Sequence, residues 1–382
     1  MRVHRATAAG FVAIVTTVVL ACEMPRPRQT VRQIAVPPVP ARSGKVIDPA
    51  NAQLDLENEG LKVWWRHNIG QIAGGKIVRE AYLLDDLLLV ETRDATLFYF
   101  DAAKGLWTGN TRLKSLLMAP PAIYEKSLYM PCERALLVVD RDSGTVQKAL
   151  RSIVPVSCQP FPYYTFLILC GGNGQMVCMD AEEGGQMWSA SADGAIKTPP
   201  ILYEGNIYVA GFRGRVVAIS AHSGIEVWGW RPNLPSTVGP ELAIGEGFLY
   251  VGDNRGFIYS LLPTDPLVTW KYPAGAPVSG IVPVGPRLLV FTHGSDALCL
   301  DVDDEPPLKW KHPDAQRLLA TGKTDLYLLT RDRSVACVSL QTGQEKWRLP
   351  LAAGSIVVSD SSRPAFYVVR LEGAIVALKE LQ

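Results

Sequence analysis

The chain has 382 residues, which is enough for one large domain or for two or three domains of ordinary size. Apolar residues make up 48% of it and charged residues 20%, a balance that excludes an intrinsically disordered chain. The formal net charge of +1 excludes the strongly basic character expected of a nucleic-acid-binding protein.

The N-terminus has the features of a bacterial secretion signal. Two arginines precede an apolar run over residues 8–20, which is too short for a comfortable membrane span. Val-Leu-Ala-Cys follows at 19–22 and resembles the lipobox of bacterial lipoproteins. The resemblance implies that residues 1–21 are a signal peptide and that Cys22 is lipidated, which would anchor the protein to a membrane surface. A free cysteine in an uncleaved anchor is the alternative.

Residues 22–60 are predicted to be a flexible tether, because the stretch after Cys22 is rich in Pro and Arg and shows no periodicity. Glu23 stands where enterobacterial lipoproteins of the inner membrane carry Asp. The lipoprotein resemblance therefore implies delivery to the outer membrane, with the protein on the periplasmic side.

The rest of the chain, residues 61–382, is built from a repeat. A short β-type run ending at one anchor residue recurs every 38 to 41 residues. The anchors are Asp101, Asp140, Asp180, Ser220, Ser260, Asp301, Ser339 and Ala377. A constant period of this length indicates a repeat architecture.

Each unit reads as four short strands. Between residues 198 and 230, Glu204-Gly205, Arg213-Gly214 and a third turn ending at Gly224 separate four β-type runs. No stretch past residue 60 shows a helical period of apolar residues. We therefore predict an all-β, eight-bladed β-propeller of four-stranded antiparallel blades, with a flat solenoid of hairpins as the competing arrangement.

The two ends of the repeat region complement each other. The last unit has three strands, and the stretch LKVWWRH at 61–67 is a strand without a unit before it. We expect this N-terminal strand to complete the eighth blade and to close the ring.

A tryptophan follows the third turn in most units. Gly184, Gly224 and Gly343 each precede a tryptophan by four residues, and the full pattern resembles the tryptophan-docking motif of the pyrroloquinoline-quinone-type β-propeller family. The resemblance implies that these side chains fill the wedge between neighbouring blades. The predicted docking residues are Trp65, Trp107, Trp188, Trp228, Trp270, Trp310 and Trp347. Lys148 takes the tryptophan position in the second unit, which predicts a weaker junction there.

Catalytic chemistry finds little support in the sequence. Quinoprotein dehydrogenases of this family carry two adjacent cysteines and a Ca²⁺ site in long insertions, and the chain has no adjacent cysteines. The histidines are scattered over different units without ligand spacing, and no phosphate loop or nucleophile elbow occurs. We therefore predict no catalytic residues, no cofactor and no metal.

The six cysteines beyond Cys22 divide into two groups. Cys178, Cys299 and Cys337 recur two residues before their anchors, which predicts buried thiols that act as small apolar fillers. A turn at Asn173-Gly174 would place Cys170 opposite Val177, so that Cys170 and Cys178 lie on opposite faces of the sheet. A disulfide between Cys132 and Cys158 is a hypothesis, since both are expected at one end of neighbouring blades.

Length, lipid signal and architecture together resemble the BamB family of outer-membrane assembly lipoproteins. The resemblance implies a non-catalytic periplasmic scaffold, monomeric within a complex, whose protein partner is the outer-membrane barrel-assembly machinery. Two alternatives remain open: a propeller-type binding or sensor lipoprotein with another partner, and a quinone-dependent oxidoreductase.

Overall fold

Eight sheets of four antiparallel strands, one of them extended by a short fifth strand, surround one axis in the computed structural model of the protein. The structure describes residues 45–46, 60–70, 77–133, 135–231, 238–294, 296–303, 307–360 and 364–380. First strands of most neighbouring blades contact each other, and the contact between Val78–Leu84 and Ile356–Ser359 joins the first blade to the last. The predicted eight-bladed propeller is therefore confirmed.

The strands of blades 1 to 4 run, from the axis outward, as Val78–Leu84, Leu87–Thr92, Thr96–Asp101 and Trp107–Arg112; Ala122–Tyr124, Ser127–Pro131, Ala135–Asp140 and Val146–Arg151; Phe161–Tyr163, Phe166–Cys170, Gln175–Asp180 and Gln186–Ser191; Ile201–Tyr203, Asn206–Gly211, Arg215–Ser220 and Glu226–Trp230. The strands of blades 5 to 8 run as Val238–Gly245, Phe248–Asp253, Phe257–Leu262 and Asp265–Pro273; Val278–Val284, Arg287–Thr292, Asp296–Asp301 and Leu308–Pro313; Ala315–Thr321, Asp325–Thr330, Ser334–Ser339 and Glu345–Pro350; Ile356–Ser359, Ala365–Val369, Ala374–Glu380 and the N-terminal Leu61–Asn68.

The N-terminal strand closes the ring as predicted. It pairs antiparallel with the last strand of the chain, with Leu61 opposite Glu380 and His67 opposite Ile375. Pairing the two ends of the chain removes the open sheet edge that the three-stranded last unit would otherwise expose.

A further short strand lies within the predicted tether. Lys45–Val46 pairs parallel with the outermost strand of blade 7, so that this blade has five strands. Apart from residues 45–46 and residue 60, the predicted tether lies outside the described residues, as do the predicted signal peptide and Cys22. No helix in the described part of the chain has the length and apolarity needed to cross a membrane.

The core lies between the blades, because each sheet packs on both of its faces. In blade 3, Met176 and Cys178 point toward blade 4, where they join Val217 in one cluster. Val177 and Met179 point the other way and belong to the cluster shared with blade 2. Burial on both faces explains why the third strands read as continuous apolar runs rather than as an alternating pattern.

The anchor residues of most units shape the turn between the third and fourth strands. The Oδ1 atom of Asp180 accepts hydrogen bonds from the backbone N–H groups of Glu182 (2.8 Å) and Glu183 (2.7 Å). Gly184 follows with a φ of 78°, a conformation that suits glycine. These aspartates therefore hold turns, and the sequence repeat records a repeated backbone shape.

Candidate functional site

Six of the seven predicted docking tryptophans occupy one equivalent position in the ring. Each lies opposite a small residue of the third strand of its own blade; the pairs are Trp65–Ala377, Trp188–Cys178, Trp228–Ala218, Trp270–Ser260, Trp310–Cys299 and Trp347–Cys337. In most blades the small residue lies two positions before the anchor. In blades 5 and 8 the small residues are Ser260 and Ala377, which the sequence spacing had named as anchors. The position equivalent to the other anchors therefore lies two residues later in these two blades. A small residue under each indole leaves room for the ring.

The indole ring reaches the next blade at its third turn. Trp310 Nε1 donates to the backbone carbonyl of Leu340 (2.9 Å), and Trp188 Nε1 donates to that of Ala221 (3.1 Å). The turn glycine of the next blade lies against the ring, since a Cβ added to Gly343 would come within 2.5 Å of the Trp310 ring. The same element thus provides packing and a hydrogen bond across the junction.

Trp107 does not dock, which corrects the sequence prediction. Its side chain is 43% exposed, and its Nε1 donates to the carbonyl of Gly109 in its own strand (2.7 Å). The third turn of blade 1 has the same length as the equivalent turn of blade 3. The position opposite Tyr99 is therefore filled by Gly109, two residues after Trp107. The Tyr99 hydroxyl donates to Thr111 Oγ1 (2.6 Å), and both side chains pack against the turn at Gly144 of blade 2.

The junction between blades 2 and 3 has other contacts in place of the missing tryptophan. Lys148 lies at the tryptophan position opposite Val138, and its Nζ donates to the carbonyl of Glu182. Leu150 packs against Gly184, and the Tyr129 hydroxyl donates to the carbonyl of Ala181 (3.2 Å). A lysine, a leucine and a tyrosine therefore make the contacts of this junction, and its lower stability stays a prediction.

The hypothesised Cys132–Cys158 disulfide is absent from the structure, in which both residues are free cysteines. Cys132 packs with the cluster of blades 1 and 2, whereas Cys158 belongs to the cluster of blades 3 and 4. The predicted register of Cys170 is also wrong, because Gly171 bonds to Gln175 and Cys170 lies opposite Met176. The turn is one residue longer than Asn173-Gly174, and Cys170 and Cys178 therefore share a face.

One face of the ring is rich in arginine. This face carries the turns between the second and third strands, and we call it the arginine face. Exposed cationic side chains in these turns are Arg93, Arg213, Arg255, Arg331, Arg333 and Arg370. In blade 6 the same turn carries His293. The acidic residues in the described part of these turns are Asp94, Glu133, Asp332 and Glu372. Hydroxyl groups engage Asp94 and Asp332, and Arg370 lies 3.7 Å from Glu372.

The opposite face carries mainly carboxylates, and we call it the carboxylate face. Its turns join first to second strands and third to fourth strands. Acidic residues in the described part of these turns, or at the strand ends that open them, are Asp85, Asp86, Asp101, Glu125, Asp140, Asp142, Asp180, Glu182, Glu183, Glu204, Glu246, Asp301, Asp303 and Asp360. Within the described residues of the same turns, the basic side chains are Lys104, Lys126, Arg141 and Lys323. The ring is therefore electrically polarised along its axis, although its net charge is close to zero.

A cavity of about 490 Å³ opens between the inner strands of blades 6, 7 and 8. Its polar lining includes Ser279, Thr292, His293, Gln316, Arg317 and Arg331, without a carboxylate. Desolvation lowers the pKa of the Arg317 guanidinium, and the charge of Glu80 opposes this shift. The guanidinium also donates to the carbonyl of Val357, which holds it toward blade 8. The cavity therefore offers fixed positive charge to an anionic group.

A buried ionic cluster joins blades 6 and 7 beneath the arginine face. Glu345 binds Arg348 through two hydrogen bonds of 2.7 and 2.9 Å, and it lies 3.1 Å from His312 Nε2. Burial by itself would raise the pKa of Glu345, but hydrogen bonds from His312 and Arg348 lower it to about 2. Arg348 also donates to Asp332 (2.7 Å), so the cluster reaches the surface turn.

Among the described residues, no group of three or more His, Cys, Asp or Glu side chains is arranged to hold a metal ion. The sequence analysis did not predict that Arg317, Arg331 and His293 line one cavity. Arg317 lies in a first strand, and His293 and Arg331 lie in the second turns of successive units. These equivalent positions in neighbouring units were the signal that could have indicated the cavity.

Residues 150–349 match the family described as "Outer membrane protein assembly factor BamB". BamB of Burkholderia pseudomallei is 24% identical over 246 residues, which cover 54% of this chain and 64% of that relative. BamB of Marinobacter adhaerens is 28% identical over 117 residues, which cover 29% of this chain and 28% of that relative. The chain thus aligns with less than two thirds of the length of either relative.

Solved structures give the same fold. BamB from Moraxella catarrhalis superimposes with a TM-score of 0.66 at 13% identity, over 84% of this chain and 97% of that one. Quinohemoprotein alcohol dehydrogenase from Comamonas testosteroni gives 0.63 at 11% identity, over 88% of this chain and 78% of that one. Identities this low indicate a shared fold only. The sequence match over more than half of the chain shows that this chain, a closed ring of eight blades of which six carry a docking tryptophan, belongs to the BamB family of pyrroloquinoline-quinone-type β-propellers.

Proposed function

We propose that the protein is a non-catalytic scaffold that supports the assembly of outer-membrane β-barrel proteins through protein–protein contacts. Membership of the BamB family supports this function. The observation that carries it here is the polarised ring, since a closed ring of blades presents many exposed arginines at fixed positions on one broad face. Such a face suits electrostatic recognition of an acidic surface on the barrel-assembly machinery without moving parts.

Charge reversal on the two faces tests this proposal. The first variant combines Arg213→Glu and Arg255→Glu in the exposed turns of blades 4 and 5. The matched control combines Lys104→Glu and Lys323→Glu, which make the same change of charge on the carboxylate face. The full-length protein is purified from envelope extract by affinity tag, and barrel-assembly proteins that copurify are quantified at low and at physiological salt.

We expect the wild type to recover barrel-assembly proteins and the arginine-face variant to lose about tenfold or more of that recovery. The control should retain it. Salt should weaken the wild-type interaction, because exposed charges are screened within about 10 Å at 0.1 M ionic strength. Recovery of no barrel-assembly protein by the wild type would contradict the function, and equal losses in both variants would contradict the choice of face.

We further propose that residues 1–21 are a cleaved signal peptide and that lipidated Cys22 holds the propeller at the periplasmic face of the outer membrane. Residues 22–60 then act as the tether, and residues 61–382 form the propeller domain. Labelling with a radioactive or clickable fatty acid should tag the wild type and leave Cys22→Ser untagged. An untagged wild type would contradict lipid anchoring while leaving the scaffold function to the copurification experiment.

Two alternatives are kept. The cavity lined by Arg317 and Arg331 favours a binding or sensor lipoprotein that takes an anionic ligand. An oxidoreductase is the other alternative, with which the chain shares only its fold, and reduction of a redox dye in the presence of the quinone and Ca²⁺ would reveal it. Neither activity is expected if barrel assembly is the role of the protein.

A further inference from the structure

Two buried cysteines of blade 3 lie on adjacent segments of backbone. Cys158 is in the segment that enters the blade and is 2% exposed, while Cys170 ends the second strand and is fully buried. Both side chains belong to the apolar cluster shared with blade 4. Neither residue is part of the arginine face or of the tryptophan positions.

The backbone fixes the two segments side by side. The amide of Ser157 donates to the carbonyl of Cys170 (3.0 Å), the Ser157 hydroxyl donates to the same carbonyl (3.2 Å), and Val156 forms a β-bridge with Gly171. Cys158 directly follows Ser157. Cys158 is therefore held one residue from the position that pairs with Cys170, and both side chains enter the same buried cluster.

The thiols of Cys158 and Cys170 interact with each other. A hydrogen bond between the two thiols, together with burial, raises the pKa of Cys170 well above its usual range. Cys178 lies on the same face but opposite Ile168, two pairs further along the hairpin. The contact with Cys158 therefore distinguishes Cys170 from the cysteines that serve as small fillers under tryptophans.

Both cysteines are free in the structure, and we propose that in the oxidised protein Cys158 and Cys170 form a disulfide that fastens the entry segment of blade 3 to its second strand. The proposal rests on the proposed periplasmic location, because disulfides persist in oxidising compartments. The entry segment follows one of the two junctions without a docking tryptophan, and the innermost strand of this blade has only three residues, Phe161–Tyr163. A covalent link at this point would restrain the entry to blade 3.

The oxidant is an external disulfide, such as a dithiol–disulfide exchange protein or oxidised glutathione. One cysteine thiolate attacks a sulfur of the donor, which forms a mixed disulfide and releases one donor thiol. The second cysteine thiolate then attacks the mixed disulfide, the protein S–S bond forms, and the other donor thiol leaves. The protein loses two electrons and two protons, and the donor gains them. Because the folded blade buries both thiols, we place this exchange during folding.

Peptide mapping of the full-length protein tests the bridge. Trypsin releases residues 152–197 as one peptide, which contains Cys158, Cys170 and Cys178. Protein from envelope extract is alkylated without reductant in denaturant. A second sample, made in reducing cytosol, is unfolded and refolded with a mixture of reduced and oxidised glutathione before alkylation. Chymotrypsin then cuts after the aromatic residues at 163, 164 and 166, between the first two cysteines.

We expect the tryptic peptide of the refolded sample to carry one alkyl group, on Cys178, and to carry three after reduction. Chymotrypsin should leave the fragments with Cys158 and Cys170 linked. Three alkyl groups, or a link that includes Cys178, would overturn the proposal. A bridge in the refolded sample with free thiols in the envelope sample would instead contradict the periplasmic location and the proposed function that requires it.

Thermal unfolding supplies a second readout. Reductant should lower the Tm of the refolded wild type by about 4 °C, as expected for closing a loop of this length in a chain of this size. The Cys158→Ser/Cys170→Ser double variant should not respond to reductant, and Cys132→Ser should respond as the wild type does. An equal response of the double variant would place the redox-sensitive bond elsewhere and would overturn the proposal.

Discussion

The clearest test of the junction geometry compares two tryptophans that share a sequence pattern but not a position. We predict that Trp310→Ala greatly destabilises the propeller and that Trp107→Ala does not. Trp310 is 2% exposed and donates to the carbonyl of Leu340 in the next blade, whereas Trp107 is 43% exposed and bonds only within its own strand.

The expected magnitude follows from burial. Removing a buried tryptophan side chain costs about 3–5 kcal/mol, because transfer and cavity terms add. The lost hydrogen bond contributes about 1 kcal/mol of that loss. Trp310→Phe keeps most of the packing and should cost about 1–2 kcal/mol. Trp107→Ala removes a largely exposed ring and should cost less than about 1 kcal/mol.

Equilibrium urea unfolding followed by far-UV circular dichroism measures these differences, since the signal of the strands does not depend on the tryptophans that are removed. The order of stability should be wild type and Trp107→Ala, then Trp310→Phe, then Trp310→Ala. If Trp107→Ala costs as much as Trp310→Ala, the blade 1 register is wrong and the docking argument fails.

Three further predictions test other contacts. Gly343→Ala should cost several kcal/mol by unfolding in urea, since its Cβ would meet the indole ring at 2.5 Å, whereas Gly205→Ala, which has a similar φ and open space, should cost only about 1–2 kcal/mol. The pKa of Glu345 is lowered to about 2, so the stability that its charged form gives to the fold is complete above about pH 4.5 and is lost as the pH falls through 2. Glu345→Gln should therefore flatten the fall of Tm over that pH interval, and it should cost about 3 kcal/mol at pH 7. Tyr129→Phe should cost about 1–2 kcal/mol in thermal unfolding, more than Tyr208→Phe, because the carbonyl that Tyr208 binds also receives a tryptophan N–H. Equal costs within either matched pair, or an unchanged acid profile for the glutamine variant, would contradict the corresponding contact.

The blade count and the closing strand could be predicted from the sequence because their causes are local. Strands within a blade are joined by short turns, so Glu204-Gly205 and the turn at Gly224 mark their ends directly. Dividing the sequence into four-strand units leaves the last unit one strand short and leaves one extra strand, which begins at Leu61, before the first unit. The extra strand completes the last unit.

Residue positions across a bulge could not be predicted in the same way. Trp107 follows a turn glycine as the docking tryptophans do, but it comes two residues too early to reach the position opposite Tyr99. A shift of one residue in the turn beside Cys170 likewise changed the face on which it was expected. Since side chains alternate between faces along a strand, small errors of register reverse such conclusions.

The sequence by itself determined the architecture of this protein, because a repeat near 40 residues with tight glycine turns leaves few other ways to bury apolar strands. Only the tertiary structure decided which side chains meet, including the Cys158–Cys170 contact within blade 3 and the cavity at Arg317 between blades. These residues are brought together by the closure of the ring and by local register, and neither the repeat period nor the composition specifies those distances.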